Sequence, residues 1–274
     1  MKFTQRQSDS AFTFIELLVV IGVIGLLVCA LGAGRGMDRT GSNGFQCLNN
    51  HRQLLAAWKM YADDNAGALV YNHDGANAGK QVGVECWVAG SMDFNASTDN
   101  TNINNLVRHD ILPYGAFLGP YAKSPNIFKC PADNATVTIA GKRVLRVRSV
   151  SMNNFFGTGG RTWTTPSRYI QHRNLNQIKS PATQFVFLDE REDSINDGCF
   201  FTDSDTPYQL IDYPASHHDS AGAFSFVDGR AEIHRWTDVR TIPVLQPGQP
   251  LQLNVNLPGN VDVTWLQQHA SELQ

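Results

Sequence analysis

Glu16 is the one charged residue in a long apolar run. Residues 10–29 read SAFTFIELLVVIGVIGLLVC, and from 12 to 31 only Thr13 and Glu16 break the apolar character. A carboxylate at bilayer depth costs about 2.5–3.5 kcal/mol on insertion scales, so an acid kept there needs a partner or a role. A cut between Ala11 and Phe12 would supply the partner. Phe12 would then carry a new α-ammonium, and Glu16, four residues on, would lie about one helical turn away. The two charges could neutralise each other within a chain or between neighbouring chains. A bundle of such helices would hide both and fix their axial register.

Three other groups of residues could do chemistry. His218 is followed after nine residues by Asp228-Gly229. The pair could be catalytic or metal-binding, but Asp-Gly is turn chemistry, and the plainer reading is a hairpin turn with His218 hydrogen-bonded near it. His217 and His234 could gather around the same hairpin. No His-x-x-x-His and no Cys-x-x-Cys occurs, so the spacing does not support zinc. The stretch LDEREDSINDG, 188–198, places Asp189, Glu190, Asp193 and Asp197 close in sequence. These oxygens are of the kind Ca²⁺ takes, which makes calcium the one cofactor with candidate ligands. Their spacing is not that of an EF-hand loop, and a solvated acidic loop accounts for them as well. Cys47, Cys86, Cys130 and Cys199 lie beyond the apolar run. In an oxidising compartment they could form up to two disulfides in any of three connectivities, or they could remain buried thiols. Cys29, inside the run, reads as a small hydrophobe.

Enzyme signatures are missing from the chain. There is no Gly-x-Ser-x-Gly, no Ser-x-x-Lys and no Walker loop, and GTGGR at 157–161 lacks the Lys-Ser/Thr that a phosphate loop needs. The expectation is a protein that is not an enzyme. With 22 Lys+Arg against 25 Asp+Glu and a net charge of −3, it has no basic footprint for nucleic acid. The one basic stretch, GKRVLRVR at 141–148, alternates apolar and basic residues and reads as a strand with one solvated face.

The first thirty residues admit three readings. A cleaved secretory signal would have a shorter core followed by small residues, which CALGAG could supply. A plain membrane anchor would have the length, since twenty residues at about 1.5 Å each span a bilayer, but not the acid. The third reading uses both. Lys2 and Arg6 precede the run, which places the N-terminus inside, and Ala11-Phe12-Thr13-Phe14-Ile15-Glu16-Leu17 follows. This resembles the type IV prepilin N-terminus, which type II secretion pseudopilins share, although that family has Gly where this chain has Ala11. The resemblance implies cleavage after Ala11 and N-methylation of Phe12 by a prepilin peptidase/N-methyltransferase, with Glu16 as the assembly carboxylate. CLNNHRQLLAAWKMYADDN and the spacing His218-x9-Asp228-Gly229 resemble further blocks of a pilin-like group. So do IFKCPAD and HRW, and together the blocks span almost the whole chain. The implied partners are other pilin-like subunits and an inner-membrane assembly platform. The implied location is a single pass in the inner membrane with a periplasmic head, then a filament. The alternatives are a membrane-tethered extracytoplasmic glycan- or surface-binding protein, which exposed Trp residues among Trp87, Trp163 and Trp236 would favour, and, behind it, an enzyme on a membrane tether.

The elements that must position these groups follow from periodicity. Leu48, Leu55 and Ala62 recur every seven residues, with Leu54, Trp58 and Tyr61 beside them, and predict an amphipathic helix ending near Asn65-Ala66-Gly67. Five glycines between 32 and 44 predict a break before it. QVGVECWVAG (81–90) and QFVFLDE (184–190) read as strands. Asp228-Gly229 between apolar runs reads as a hairpin in which Phe226 faces Ala231 and Phe224 faces Ile233. VDVTWLQQHASELQ reads as a terminal helix anchored by Trp265 and Leu266. The expected fold is α+β. An N-terminal hydrophobic helix, broken at 32–44, packs its C-terminal half against an antiparallel β-sheet head. The expected segments are a leader at 1–11, a transmembrane and assembly helix at 12–66, and a head at 67–274.

Overall fold

Cys47, His51, Leu54, Trp58 and Ala62 fall three or four residues apart, so a helix turns all of them to one side. In the computed structural model these five are buried along the inner stripe of a helix spanning Arg39–Asp64. The structure describes residues 14–21, 23, 39–75, 78–80, 86–110, 115–157 and 168–274. They fall into two compact units, Met1–Gly41 and Ser42–Gln274. In the first, residues 14–21 and 23 are helical, and their large apolar side chains are exposed, from Val20 at 45% to Phe14 at 76%.

The second unit is built on a five-stranded sheet ordered β5-β3-β4-β7-β8. Its strands are β3 (Val150–Asn153), β4 (Phe185–Asp189), β5 (Cys199–Phe200), β7 (Ala221–Phe226) and β8 (Ala231–Arg235). Every residue of β3, β4, β5 and β7 is buried, because both faces of the sheet are covered. One core holds the long helix through Leu54 and Trp58, with Trp87, Phe128, Met152, Phe156 and Phe187. The other holds the C-terminal helix Val261–Ala270 through Val263 and Leu266, with Phe185, Leu188, Phe200, Phe224, Phe226 and Trp236. Phe187 and Leu188 lie in different cores, as strand alternation requires. Two small sheets lie outside this sandwich. One pairs β1 (Thr136–Ile139) with β2 (Lys142–Leu145), and the other pairs β6 (Gln209–Leu210) with β9 (Val255–Asn256).

The expected fold is overturned. The described residues contain no long apolar N-terminal helix, and no helix among them is long and apolar enough to cross a membrane. The helix that packs on the sheet is amphipathic and turns Arg52, Lys59, Asp63 and Asp64 away from the core. The described residues are mixed α/β, with several short helices and three separate sheets. The main sheet is also mixed, because β5 lies parallel to β3. The expected break at 32–44 is corrected over its second half: Gly41 and Gly44 are helical. Gly44 is buried where the helix meets β8, and a Cβ there would stand 3.0 Å from Ile233 Cδ1. The missing side chain lets the two elements approach. Residues 24–38, with the last eight residues of the apolar run, lie outside the described residues, as do Gly22 and 1–13 with Ala11 and Phe12.

Three strand readings also change. At 81–90 only Cys86 makes an isolated bridge, to Ala116, and 81–85 lie outside the described residues. In the 141–148 stretch β2 is fully exposed, whereas Arg146 and Arg148 behind it are buried and donate to backbone carbonyls of Glu192 and Asp197. The hairpin register is shifted by one residue: Ser225 faces Ala231 and Phe224 faces Glu232. Gly229 N–H donates to Phe226 O at 2.9 Å and Phe226 N–H to Arg230 O at 2.8 Å, with Gly229 at φ +110°. The loop therefore has three residues closed by a glycine bulge, rather than the two-residue loop that an Asp-Gly pair suggests.

Candidate metal centre

Four elements bring four ligand-bearing side chains to one buried point. Cys47 comes from the long helix, Asp189 from the end of β4, Cys130 from the loop after the short helix Pro125–Phe128, and His218 from the turn before β7. One ligand atom of each lies within 4.8 Å of all the others. Cys47 Sγ–H donates to Asp189 Oδ2 at 2.9 Å, and Cys130 Sγ lies 3.3 Å from His218 Nε2. Cys47, Cys130 and Asp189 are 0% exposed and His218 is 8% exposed. Ala223 on β7 packs in one buried cluster with the two cysteines.

Each ligand is held by its own backbone. Asn50, one turn from Cys47, donates to the carbonyl of Lys129 at 3.0 Å, which ties the helix to the Cys130 loop. Cys130 N–H donates to Ser149 Oγ at 2.8 Å. Ala215 N–H donates to the carbonyl of Asp189 at 2.8 Å. His218 N–H donates to Ala221 O at 3.1 Å across a tight turn in which Asp219 and Ser220 both have positive φ. That turn carries the imidazole whose Nε2 meets Cys130 Sγ.

The electrostatics set thiols and a carboxylate against each other. The hydrogen bond with Cys130, burial and the Asp189 charge hold the Cys47 thiol well above its ordinary range. Burial pushes Asp189 upward, but the charge and hydrogen bond of His51, with the bond from Cys47, more than offset it and leave the carboxyl below its usual value. His51 lies behind Asp189, with Nε2 3.4 Å from Oδ1 and both residues shut from solvent. Burial lowers His218. Asp189 Oδ1 and His51 Nε2 have only that 3.4 Å contact with each other, and three further ring nitrogens find no hydrogen-bond partner: His218 Nδ1, His51 Nδ1 and His217 Nε2. Buried polar groups are nearly always satisfied, so a group of orphans at one point calls for an explanation.

The other sequence candidates are placed elsewhere. His218 and Asp228 stand at opposite ends of β7, six residues rising about 3.3 Å each, so they do not act together. The reading of His218 as hydrogen-bonded near the Asp-Gly turn is thus corrected: its partner is Cys130. Asp228 instead receives the N–H of Arg230 on Oδ1. The acids of 188–198 diverge. Glu190 accepts from Ser194, Asp193 is paired with Arg191 at 2.6 Å, and Asp197 accepts the N–H groups of Gly75 and Cys199. Of those four only Asp189 belongs to a gathering of three or more metal-ligand types, and among the described residues Cys47, Cys130, Asp189 and His218 are the only such gathering. The Asp189–Glu190–Asp193–Asp197 calcium set is therefore not assembled here. All four described cysteines are free thiols, and burial pushes Cys86 up to about 11. His234 stacks on Trp265 at 3.7 Å. Trp87 and Trp236 are buried and donate to the carbonyls of Gly198 and Ala215, so neither offers an exposed aromatic platform; Trp163 lies outside the described residues.

Spacing rules miss this centre because its ligands come from four elements separated by 83, 59 and 29 residues in sequence. One local sign was available: Cys47 and His51 sit four apart on a helix whose inner stripe is otherwise apolar. Comparison of the chain with protein-family models, curated proteins and solved structures finds no match.

Proposed function

We propose that this chain is a structural subunit of a type IV pilus-like or secretion-pseudopilus filament. In this reading the apolar run 12–31 holds it in the inner membrane before assembly, with the head outside. Cleavage after Ala11 and methylation of Phe12 prepare it, and Glu16 sets the axial register between neighbouring subunits. The observation that carries the reading is Glu16, the one charged residue of the apolar run, four residues from a prepilin-like cleavage point. The exposed apolar side chains at 14–21 and 23 are consistent with it, since surface of that kind needs a cover of lipid or of like helices.

The test is the intact mass and first residue of the protein from its own membranes. The expected product begins at N-methylated Phe12. A chain that begins at Met1 in assembling cells overturns the proposal. Glu16→Ala is expected to leave a folded, membrane-bound head and abolish filament incorporation; incorporation at the wild-type level would also overturn it.

A further inference from the structure

We propose that the head binds one Zn²⁺ through Cys47, Cys130, Asp189 and His218, as a structural ion that pins the long helix and the Cys130 loop to the sheet. The inference is independent of the filament reading, because an ion of this kind would stabilise the head whatever the head is attached to.

The geometry is that of a nearly closed tetrahedral site. Zinc bonds of about 2.3 Å to sulfur and about 2.0–2.1 Å to nitrogen or oxygen set tetrahedral ligand atoms roughly 3.3–3.8 Å apart. The four atoms here already lie within 4.8 Å of one another, with individual approaches of 2.9 and 3.3 Å. Small rotations of buried side chains would complete the shell. Four protein ligands leave no open position, which marks a structural rather than a catalytic ion. Two sulfur ligands beside an imidazole select zinc over the hard cations calcium and magnesium.

The arrangement also answers a question that a disulfide would not. A Cys47–Cys130 bond would use both sulfurs and leave a fully buried carboxylate and an imidazole facing it. A zinc ion uses all four groups. It would also explain His51, whose Nε2 stands 3.4 Å from the far oxygen of Asp189, as the group that orients the ligating carboxylate. Cys130, with Asn50 and Asp133, also lines a cleft of about 390 Å³. Binding would fix His218 at one end of β7 while Gly229 turns the chain at the other, so the spacing between them measures one strand.

The experiment uses the full-length chain purified in detergent without chelators or metal resin. Plasma mass spectrometry is expected to find about one zinc per chain. Cys130→Ser and His218→Ala should each fall below about one-tenth of that, and Cys86→Ser, outside the cluster, should keep it. Because removing a buried ligand can unfold the head, two measurements do not depend on those variants. Co²⁺ exchanged into the wild type should give tetrahedral d–d bands and a thiolate-to-metal charge-transfer band. His218→Cys should retain the metal and strengthen that band. A wild-type chain that takes up no zinc on incubation with Zn²⁺, one with Cys47 and Cys130 joined as a disulfide, or a Co²⁺ form without the charge-transfer band overturns the proposal.

Discussion

At the residue scale the head carries buried acids at a cost. Asp212 is shut from solvent, and burial, with the Asp197 charge adding to it and the hydrogen bond from Phe201 N–H opposing it, raises its pKa to about 8. Glu190 is raised well above its usual value in the same way, with burial first and the Asp212 charge next. A carboxyl whose folded pKa exceeds the unfolded value of about 3.9 favours the protonated chain. Below about pH 4 both states hold the proton and the full stability is present. Between about 4 and 8 the unfolded state releases a proton that the folded state keeps, so stability falls as pH rises. Above 8 its slope vanishes. Asp212→Asn keeps an oxygen to accept from Phe201 and removes the titration. Denaturant melts from pH 5 to 8 are therefore expected to show a flatter curve for the variant, with a gain in stability near pH 7. Parallel curves for the two proteins would show that Asp212 is ionised in the folded head.

At the element scale the two helices make opposite demands on the sheet they cover. Trp58 is fully buried, packed edge-on against Phe156 at 5.9 Å, and Trp58→Ala is expected to cost about 3–5 kcal/mol in urea melts. Met60, exposed on the outer side of the same helix, should change stability by less than about 0.5 kcal/mol when cut to Ala. The C-terminal helix depends on its cap: Asn260 accepts from the N–H groups of Asp262 and Val263 and pairs with Thr241, so Asn260→Ala should cost about 1–2 kcal/mol. A neutral outcome would mean that the helix is held by Leu266 and Val263 alone. These elements also show what the sequence makes legible. The long helix ends where Ala66 and Gly67 take positive φ, beside the stop signal at 65–67. Heptad spacing and a turn residue are local, so they survive without tertiary information. The hairpin register was not legible, because one extra loop residue changes every facing pair while leaving the turn residues the same. The metal centre was not legible either. Nothing local links Cys47, Cys130, Asp189 and His218; only the packing of a helix and two loops on a finished sheet does.

At the scale of the whole molecule, the buried core of the described residues belongs to one of the two units. Among the described residues, every member of the hydrophobic clusters lies at or beyond Cys47, inside Ser42–Gln274, as do all four ligands of the proposed zinc site. The head should therefore fold without what precedes it. A fragment beginning at Ser42 removes the first three residues of the long helix, Arg39 to Gly41, and leaves its inner stripe intact. The loss amounts to an end effect of about 1 kcal/mol. In a domain of this size that shifts the melting temperature by about 2–4 °C. The expected outcome is a folded fragment that melts within about 4 °C of the full chain and carries the same zinc content, yet enters no filament, since it lacks Phe12 and Glu16. A fragment that melts far lower would show that the N-terminal unit contributes to the head's stability. A fragment that still assembles would show that the head's own surface, and not the Glu16 helix, holds the subunits together. The division of labour inferred here, with assembly before Ser42 and stability after it, stands or falls on that pair of readouts.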